Sequence, residues 1–242
     1  ATTTTALYSG GGDIVLRGKS TYASGLGVNQ NGVGSFKAGD GTVSIAGTAS
    51  AGHGVELASY GGSVTITAGG GDATHAAITV SGTSTSTGGY SGFQSNTGSM
   101  QATGTGGISV TGSASGTYYA VNTALDMLAA SGPIELTAAG GTGLRYMGTL
   151  GQKAGTGVLA STSAVTLTGN ALAVNTGIVV DTTGSLTVQP QGTSFTSALN
   201  WPLANFTLGA GVSGLTLGKS GNTANITLGS ATTIAGPITV QG

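Results

Sequence analysis

Hydrophobic and polar residues alternate in short runs along the chain, and one phrase recurs. A glycine and a small residue precede β-branched residues or leucine that alternate with serine or threonine, as in Gly41-Thr42-Val43-Ser44-Ile45. A period of two places apolar side chains on one face of a strand and hydroxyl side chains on the other. Each copy therefore predicts a half-buried strand of about five residues. The apolar positions predicted to form the core are Ile14, Val43, Ile45, Val64, Ile66, Ile108, Val110, Ile134, Leu136, Val165, Leu167, Leu186, Val188, Leu215, Ile226 and Ile238.

A weaker second phrase, Gly-Val or a relative of it, lies between many copies of the first. Examples are Gly27-Val28, Gly54-Val55 and Gly157-Val158-Leu159. The main phrase returns after roughly 20 to 30 residues, and after about a dozen near the end of the sequence. One unit therefore holds two or more short strands joined by turns of variable length. Residues 123–130 are the one segment for which a short helix is an alternative to strand and turn.

An all-β fold, a right-handed parallel β-helix with short extra-helical hairpins or loops, accounts best for this repeat. An antiparallel sandwich is the alternative, but it usually carries a hairpin dipeptide at each turn, and only Asn31-Gly32 and Asp40-Gly41 occur. Some ten to twelve coils, about 4.8 Å apart, would make a rod about 50 Å long. We interpret residues 1–242 as one β-helix segment, with an irregular stretch at 191–210. The segment is expected to belong to a longer shaft, or to a subunit that stacks end to end.

Composition excludes several classes of function. Charged residues make up 5% of the chain, whereas an ordinary soluble domain has roughly 25%. Six Lys and Arg residues leave no basic patch for nucleic acid or for a membrane-surface helix. No stretch approaches the roughly 20 apolar residues that a membrane-spanning helix needs, so no membrane insertion is expected. The absence of cysteine excludes a disulfide scaffold, and a hydrophobic fraction of 38% argues against a disordered linker.

The repeats resemble those of filamentous-haemagglutinin-type exoproteins, the secreted partners of two-partner secretion in Gram-negative bacteria. The run from Leu215 to Gly229 carries the resemblance best, and Gly236-Pro237-Ile238-Thr239-Val240 reinforces it, as do the Gly-Gly-Asp-Ile and Gly-Gly-Ser-Val phrases at 11–14 and 61–64. The resemblance implies a long β-helical adhesive rod that is secreted through an outer-membrane transporter and stays at the cell surface. The secretion domain that begins such proteins is not recognisable here, so the chain would be part of the shaft.

The few ionisable residues do not predict a catalytic or metal site. Charges are far apart in the sequence except between Asp13 and Lys19, which we interpret as a solvated strand edge. His53 and His75 are the only histidines, and Gly-Gly-Gly-Asp at 69–72 is a single imperfect copy of a calcium-binding repeat. Zinc needs three or four converging ligands. We expect no cofactor and no enzyme activity, although stacking of distant acids leaves a polysaccharide-active enzyme as an alternative.

Aromatic residues in glycine- and serine-rich loops are the candidate ligand contacts, because aromatic rings often stack on sugars. These residues are Tyr90, Phe93, Tyr118 and Tyr119. The expected partner is a glycan or protein on a host cell or on another bacterium, bound by an adhesive rod. An alternative is a self-assembling extracellular filament, in which the partners are copies of the same chain.

Two further patterns receive structural interpretations. Phe195, Trp201 and Phe206 lie in a stretch without the strand phrase and are predicted either to stack in the bore of the β-helix or to form a local plug. Outward threonines such as Thr166 and Thr187 would line one face, as in ice-binding solenoids. Because the repeat units differ in length, we interpret these threonines as side chains that solvate a strand without charge.

Overall fold

The computed structural model describes residues 4–151 and 161–242, which form strands and turns without a helix. The Gly157-Val158-Leu159 copy of the second phrase lies outside these residues. The strands are β1 (Thr4–Tyr8), β2 (Ile14–Ser20), β3 (Val28–Asn31), β4 (Val33–Lys37), β5 (Val43–Ala49), β6 (Val55–Ser59), β7 (Ser63–Ala68), β8 (Ile78–Ser84), β9 (Phe93–Ser95), β10 (Thr97–Ala102), β11 (Ile108–Ala114), β12 (Val121–Thr123), β13 (Asp126–Ala129), β14 (Ile134–Gly140), β15 (Leu144–Gly151), β16 (Val165–Gly169), β17 (Leu172–Asp181), β18 (Ser185–Gln189), β19 (Leu199–Trp201), β20 (Phe206–Leu208), β21 (Gly214–Gly218), β22 (Ile226–Leu228) and β23 (Ile238–Gln241).

Parallel pairing dominates the architecture. One sheet contains nine strands in the order β2-β5-β8-β11-β14-β16-β18-β21-β23, and we call it the nine-strand face. Every strand pairing in the described part of the chain is parallel. The chain leaves each strand of the nine-strand face, passes through other strands and returns to pair beside it. The all-β prediction is confirmed, and stacked parallel coils are consistent with a β-helix.

Twelve of the other strands form one sheet that nearly closes on itself, and β19 and β22 form a separate two-stranded sheet. The main path of the twelve-stranded sheet runs β1-β4-β7-β10-β13-β15-β12-β9-β6-β3, with β17 and β20 attached through β15. The long strand β15 joins two faces, because Leu144–Tyr146 pair with β12 while Leu150 pairs with Met127 of β13. We call the strands β3, β6, β9, β12 and the first half of β15 the strip face.

An apolar column stacks behind the nine-strand face, with one residue from each strand in register. It contains Ile14, Val43, Ile78, Ile108, Ile134, Val165, Leu186, Leu215 and Ile238. The first eight of these residues are at least 93% buried, and Ile238 is 42% exposed. Burial of such a side chain contributes about 1.5–3 kcal/mol, so the column is a main source of stability.

Most of the core prediction is confirmed, with two corrections. Fourteen of the sixteen predicted core residues are buried, whereas Ile226 is only partly buried and Ile238 is exposed. Both lie on the last strands of their ladders, β22 and β23, which have a paired neighbour on one side only among the described residues. A strand with a paired neighbour on one side leaves more of its apolar side chains exposed, as at Leu228 and Val240.

Within residues 4–151 and 161–242, the nine-strand face has fewer coils than the ten to twelve predicted. Eleven copies of the strand phrase occur, but two of them, at Val64 and Ile226, lie in β7 and β22 on other faces. The remaining copies supply the nine strands of the nine-strand face. Eight steps between nine strands give a length of about 38 Å at about 4.8 Å per step.

The two ambiguous segments also become strands and turns. Residues 123–130 contain β13 rather than a helix, and Met127 and Ala129 are buried while their neighbours Asp126 and Leu128 are half-buried, as in a strand. Within 191–210 the short strands β19 and β20 form, and Trp201 is buried against Phe206 with ring centres 4.9 Å apart. Among the residues described, no helix has the length and apolarity to cross a membrane.

Candidate ligand-binding site

Polar and aromatic side chains gather on one surface, over four successive coils of the strip face. Half of them lie on β6, β9, β12 and β15, where Glu56, Gln94 and Arg145 are half-buried and Asn122 is buried, and the others lie in the turns that precede β6, β9 and β12. Elsewhere the outward positions carry mostly serine, threonine and alanine. We call this surface the aromatic–amide strip; its residues are His53, Glu56, Tyr90, Gln94, Tyr118, Tyr119, Asn122 and Arg145.

The polar half of the strip is an in-register ladder. Glu56 lies opposite Gln94, Gln94 opposite Asn122, and Asn122 opposite Arg145. Asn122 Nδ2 donates hydrogen bonds to Gln94 Oε1 (3.2 Å) and to the Tyr118 hydroxyl (3.3 Å). These bonds fix the two amides and one phenol relative to each other. The ladder exists because Val55, Phe93, Val121 and Leu144 point inward at the preceding positions and set the same register on each coil.

The aromatic half of the strip consists of two ring pairs. His53 and Tyr90 meet edge to face, with ring centres 5.3 Å apart and planes at 84°. Tyr118 and Tyr119 form a second pair at 5.5 Å and 66°. The Arg145 guanidinium lies 5.6 Å from the centre of the Tyr119 ring, within the distance of a cation–π contact. All these rings are partly exposed, so they offer apolar surface that is held in place.

Two ionisable groups of the strip, His53 and Glu56, have shifted pKa values. The Ser91 N–H donates to His53 Nδ1 (2.9 Å), so the neutral ring carries its proton on Nε2. Burial lowers the pKa of His53 below its usual value. Burial also raises the pKa of the half-buried Glu56 carboxyl, because no ion pair or hydrogen bond with a described residue compensates its partial desolvation.

The structure separates the four predicted contact residues. Tyr90, Tyr118 and Tyr119 lie together on the strip, and a ligand contact there stays a prediction. Phe93 does not belong with them: its side chain is fully buried, in register with Val55 and Val121. The expectation that Phe93 contacts a ligand is wrong, because it is the first inward residue of β9 rather than a loop residue.

Several strip residues escaped the sequence-based prediction. Glu56, Gln94, Asn122 and Arg145 each follow the inward apolar residue of the second phrase. A polar side chain directly after that apolar residue is the signal that could have found them, and it also marks Asn29, which pairs in register with Glu56. Their alignment required knowledge of the register, since Glu56 and Gln94 are separated by a longer loop than Gln94 and Asn122.

The other candidate chemistry remains dispersed in the described chain. Asp13 accepts hydrogen bonds from the Thr42 N–H and hydroxyl, both at 2.8 Å, and these bonds lower the pKa of its carboxyl. His75 Nδ1 and Asp72 Oδ1 lie 3.0 Å apart in an exposed turn. Within residues 4–151 and 161–242, no three His, Asp or Glu residues form a group that could hold a metal ion.

The outward hydroxyl columns of the nine-strand face are interrupted. Thr166, Thr187 and Thr216 follow one another in register, but Glu135 occupies the same column one strand earlier. A groove of about 470 Å³ lies there between Glu135 and the turn that carries His75. A charged side chain and a projecting turn break the flat, regular lattice that ice recognition requires.

Comparisons with protein-family models, with curated proteins and with solved structures give no significant match to this chain. The resemblance to filamentous-haemagglutinin-type exoproteins therefore stays a prediction from the residues quoted for it.

Proposed function

We propose that this chain is a rod segment of a secreted bacterial surface protein, a right-handed parallel β-helix that attaches to cells or surfaces through the aromatic–amide strip. Right-handed connections between parallel strands of one sheet prevail in about 98% of cases, which supports the handedness. A chain with 5% charged residues and no cysteine suits passage through an outer-membrane transporter in an unfolded form, followed by folding outside the cell without disulfides. The expected location is the surface of a Gram-negative bacterium.

One observation carries the attachment role: the ladder of Glu56, Gln94, Asn122 and Arg145 lies in register beside a column of aromatic rings. Stacked repeats bring residues distant in sequence together into a continuous contact surface. Exposed aromatic and long polar residues also occur elsewhere, as at Tyr22 and Tyr60. What supports a binding surface on the strip is that its side chains lie in register on successive coils and contact each other.

Attachment of purified protein to cells tests this role. Fluorescent beads that carry the wild-type chain are expected to adhere to a panel of bacterial and epithelial cells. Beads that carry Tyr90→Ala together with Tyr118→Ala should lose most of this adhesion. The matched control replaces Tyr22 and Tyr60, which are 81% and 92% exposed and lie off the strip. Equal adhesion of strip and control variants would refute the strip as the attachment surface.

A further inference from the structure

We infer that the ligand of the aromatic–amide strip is a neutral oligosaccharide, bound along the rod axis. This inference rests on the proposed attachment role and adds the chemical class of the partner. It is drawn from four features of the strip: its fixed donors, its free acceptor, its ring surfaces and its balance of charge.

The donors of the strip are held in defined orientations. His53 keeps its Nε2–H available because Nδ1 is engaged by the Ser91 N–H. Gln94 keeps its Nε2 hydrogens available because Asn122 engages Oε1, and no hydrogen bond to a described residue uses Gln94 Nε2. Donors fixed by neighbouring bonds lose little conformational entropy when a ligand binds. Sugar hydroxyl groups, which both donate and accept, complement such donors.

The acceptor of the strip is Glu56. Its carboxylate is half-buried and forms no ion pair or hydrogen bond with a described residue. An ionised carboxylate accepts hydrogen bonds at both oxygens, and adjacent hydroxyls of one sugar ring can donate to it as a pair. Glu56 lies opposite Gln94 in the ladder, so an acceptor and a fixed donor adjoin across one coil step of about 4.8 Å.

The rings supply the apolar part of the site. His53, Tyr90, Tyr118 and Tyr119 border the polar ladder and stay partly exposed. A sugar ring presents C–H groups on its faces and hydroxyls at its rim, so it contacts a ring and the polar ladder at once. The span from Glu56 to Arg145 covers three coil steps, about 14 Å in total, which accommodates an oligosaccharide of roughly three rings.

Charge argues against an acidic glycan. With His53 neutral, Glu56 and Arg145 cancel, so the strip has no excess positive charge to attract a sulfated or carboxylated glycan, and Glu56 repels one. Tyrosine and arginine also anchor protein interfaces, but the core of such an interface is more apolar than its rim. The exposed large aliphatic residues, such as Val15 and Leu228, lie off the strip, which favours a sugar over a protein.

Isothermal titration with the wild-type chain tests this inference, using neutral tetrasaccharides (cellotetraose, maltotetraose, chitotetraose and lacto-N-neotetraose) and, as acidic probes, tetragalacturonate and a heparin tetrasaccharide. We expect at least one neutral probe to bind and the acidic probes to bind about tenfold more weakly or not at all. Gln94→Ala should weaken the neutral interaction by about tenfold. Glu56→Lys should weaken binding of the neutral probe by a similar factor and reduce the difference in affinity between neutral and acidic probes. Glu135→Gln, a change on the nine-strand face, should leave the affinities for neutral and acidic probes unchanged.

The outcomes separate this inference from the attachment role. Preference of the wild-type chain for acidic probes, or binding that Gln94→Ala leaves intact, overturns the neutral-glycan class. Strip-dependent adhesion to cells without binding of any probe overturns it in favour of a protein partner and leaves the attachment role standing. Adhesion that is independent of the strip refutes the attachment role itself. Circular dichroism melting of each variant separates loss of binding from loss of folding.

Discussion

The α-carbon of Gly47 lies against the carbonyl group of Gly54, so closely that a β-carbon on Gly47 would stand 2.0 Å from the Gly54 oxygen. Gly47 is the third inward position of β5, and Gly54 precedes β6. This approach lets the chain turn sharply from the nine-strand face to the strip face. The same contact recurs on other coils, between Gly18 and Gly27, Gly82 and Gly92, and Gly112 and Ala120.

Replacement of Gly47 by alanine should therefore destabilise the fold. The added methyl group meets backbone rather than a flexible side chain, so the coil must shift, at a cost of about 1–3 kcal/mol. Gly89→Ala is the matched control, because a β-carbon there has no neighbour within 4 Å. Urea denaturation of both variants measures the difference. Equal stability of Gly47→Ala and wild type would mean that the two segments do not pack as described.

A buried phenol gives a second test. The Tyr146 hydroxyl donates to the carbonyl oxygens of Leu125 (2.7 Å) and Thr149 (3.1 Å) at the irregularity where β15 passes from one face to the next. Tyr146→Phe removes the donor and should lower the free energy of unfolding by about 1–3 kcal/mol. Tyr60→Phe, at a position 92% exposed, should have no effect. Chemical denaturation curves that coincide for the two variants would contradict the buried hydrogen bonds.

From the burial of the Glu56 carboxyl we predict that the difference in stability between wild type and a Glu56 variant depends on pH. Burial raises its pKa, so the folded state binds the proton more tightly than the unfolded chain. The resulting stabilisation is complete below the unfolded pKa and is lost as pH rises through the folded pKa. Glu56→Gln should thus melt at a higher temperature than wild type at about pH 7 and at the same temperature at about pH 3.

The matched control for this prediction is Glu135→Gln, at an exposed position outside the strip. It should shift the melting temperature much less than Glu56→Gln at neutral pH. Differential scanning calorimetry at both pH values provides the comparison. A Glu56→Gln variant that melts lower than wild type at neutral pH would show that the ionised carboxylate is stabilised by a partner within the fold.

Sequence pattern alone could predict the strands and the inward residues of the nine-strand face. Val43 and Ile45 alternate with Ser44 in a clean period of two, and both are buried. Pattern could not assign a strand to a face, because Val64 and Ile226 carry the same phrase as Val43 but lie on other faces. The face on which a strand lies depends on where the chain turns within its coil, and the loops that make these turns vary in length.

The site was less accessible to prediction than the fold. Tyr90 and Tyr118 could be chosen by residue type, but Phe93 shares that type and points into the core. Gln94 and Asn122 looked like ordinary polar residues until the register of β9 and β12 placed them side by side. Register is set by pairing between strands that are distant in the sequence. The residue pattern within one coil therefore does not show which residues of the next coil lie beside it.

Covalent footprinting of tyrosines on cell-bound protein tests the central claim, attachment through the strip, most directly. The chain is labelled with a tyrosine-selective reagent, free and bound to a cell type to which it adheres, and each tyrosine is quantified by mass spectrometry. We predict protection of Tyr90, Tyr118 and Tyr119 and unchanged labelling of Tyr22 and Tyr60. Protection of Tyr22 or Tyr60, with the three strip tyrosines still labelled, would contradict the account.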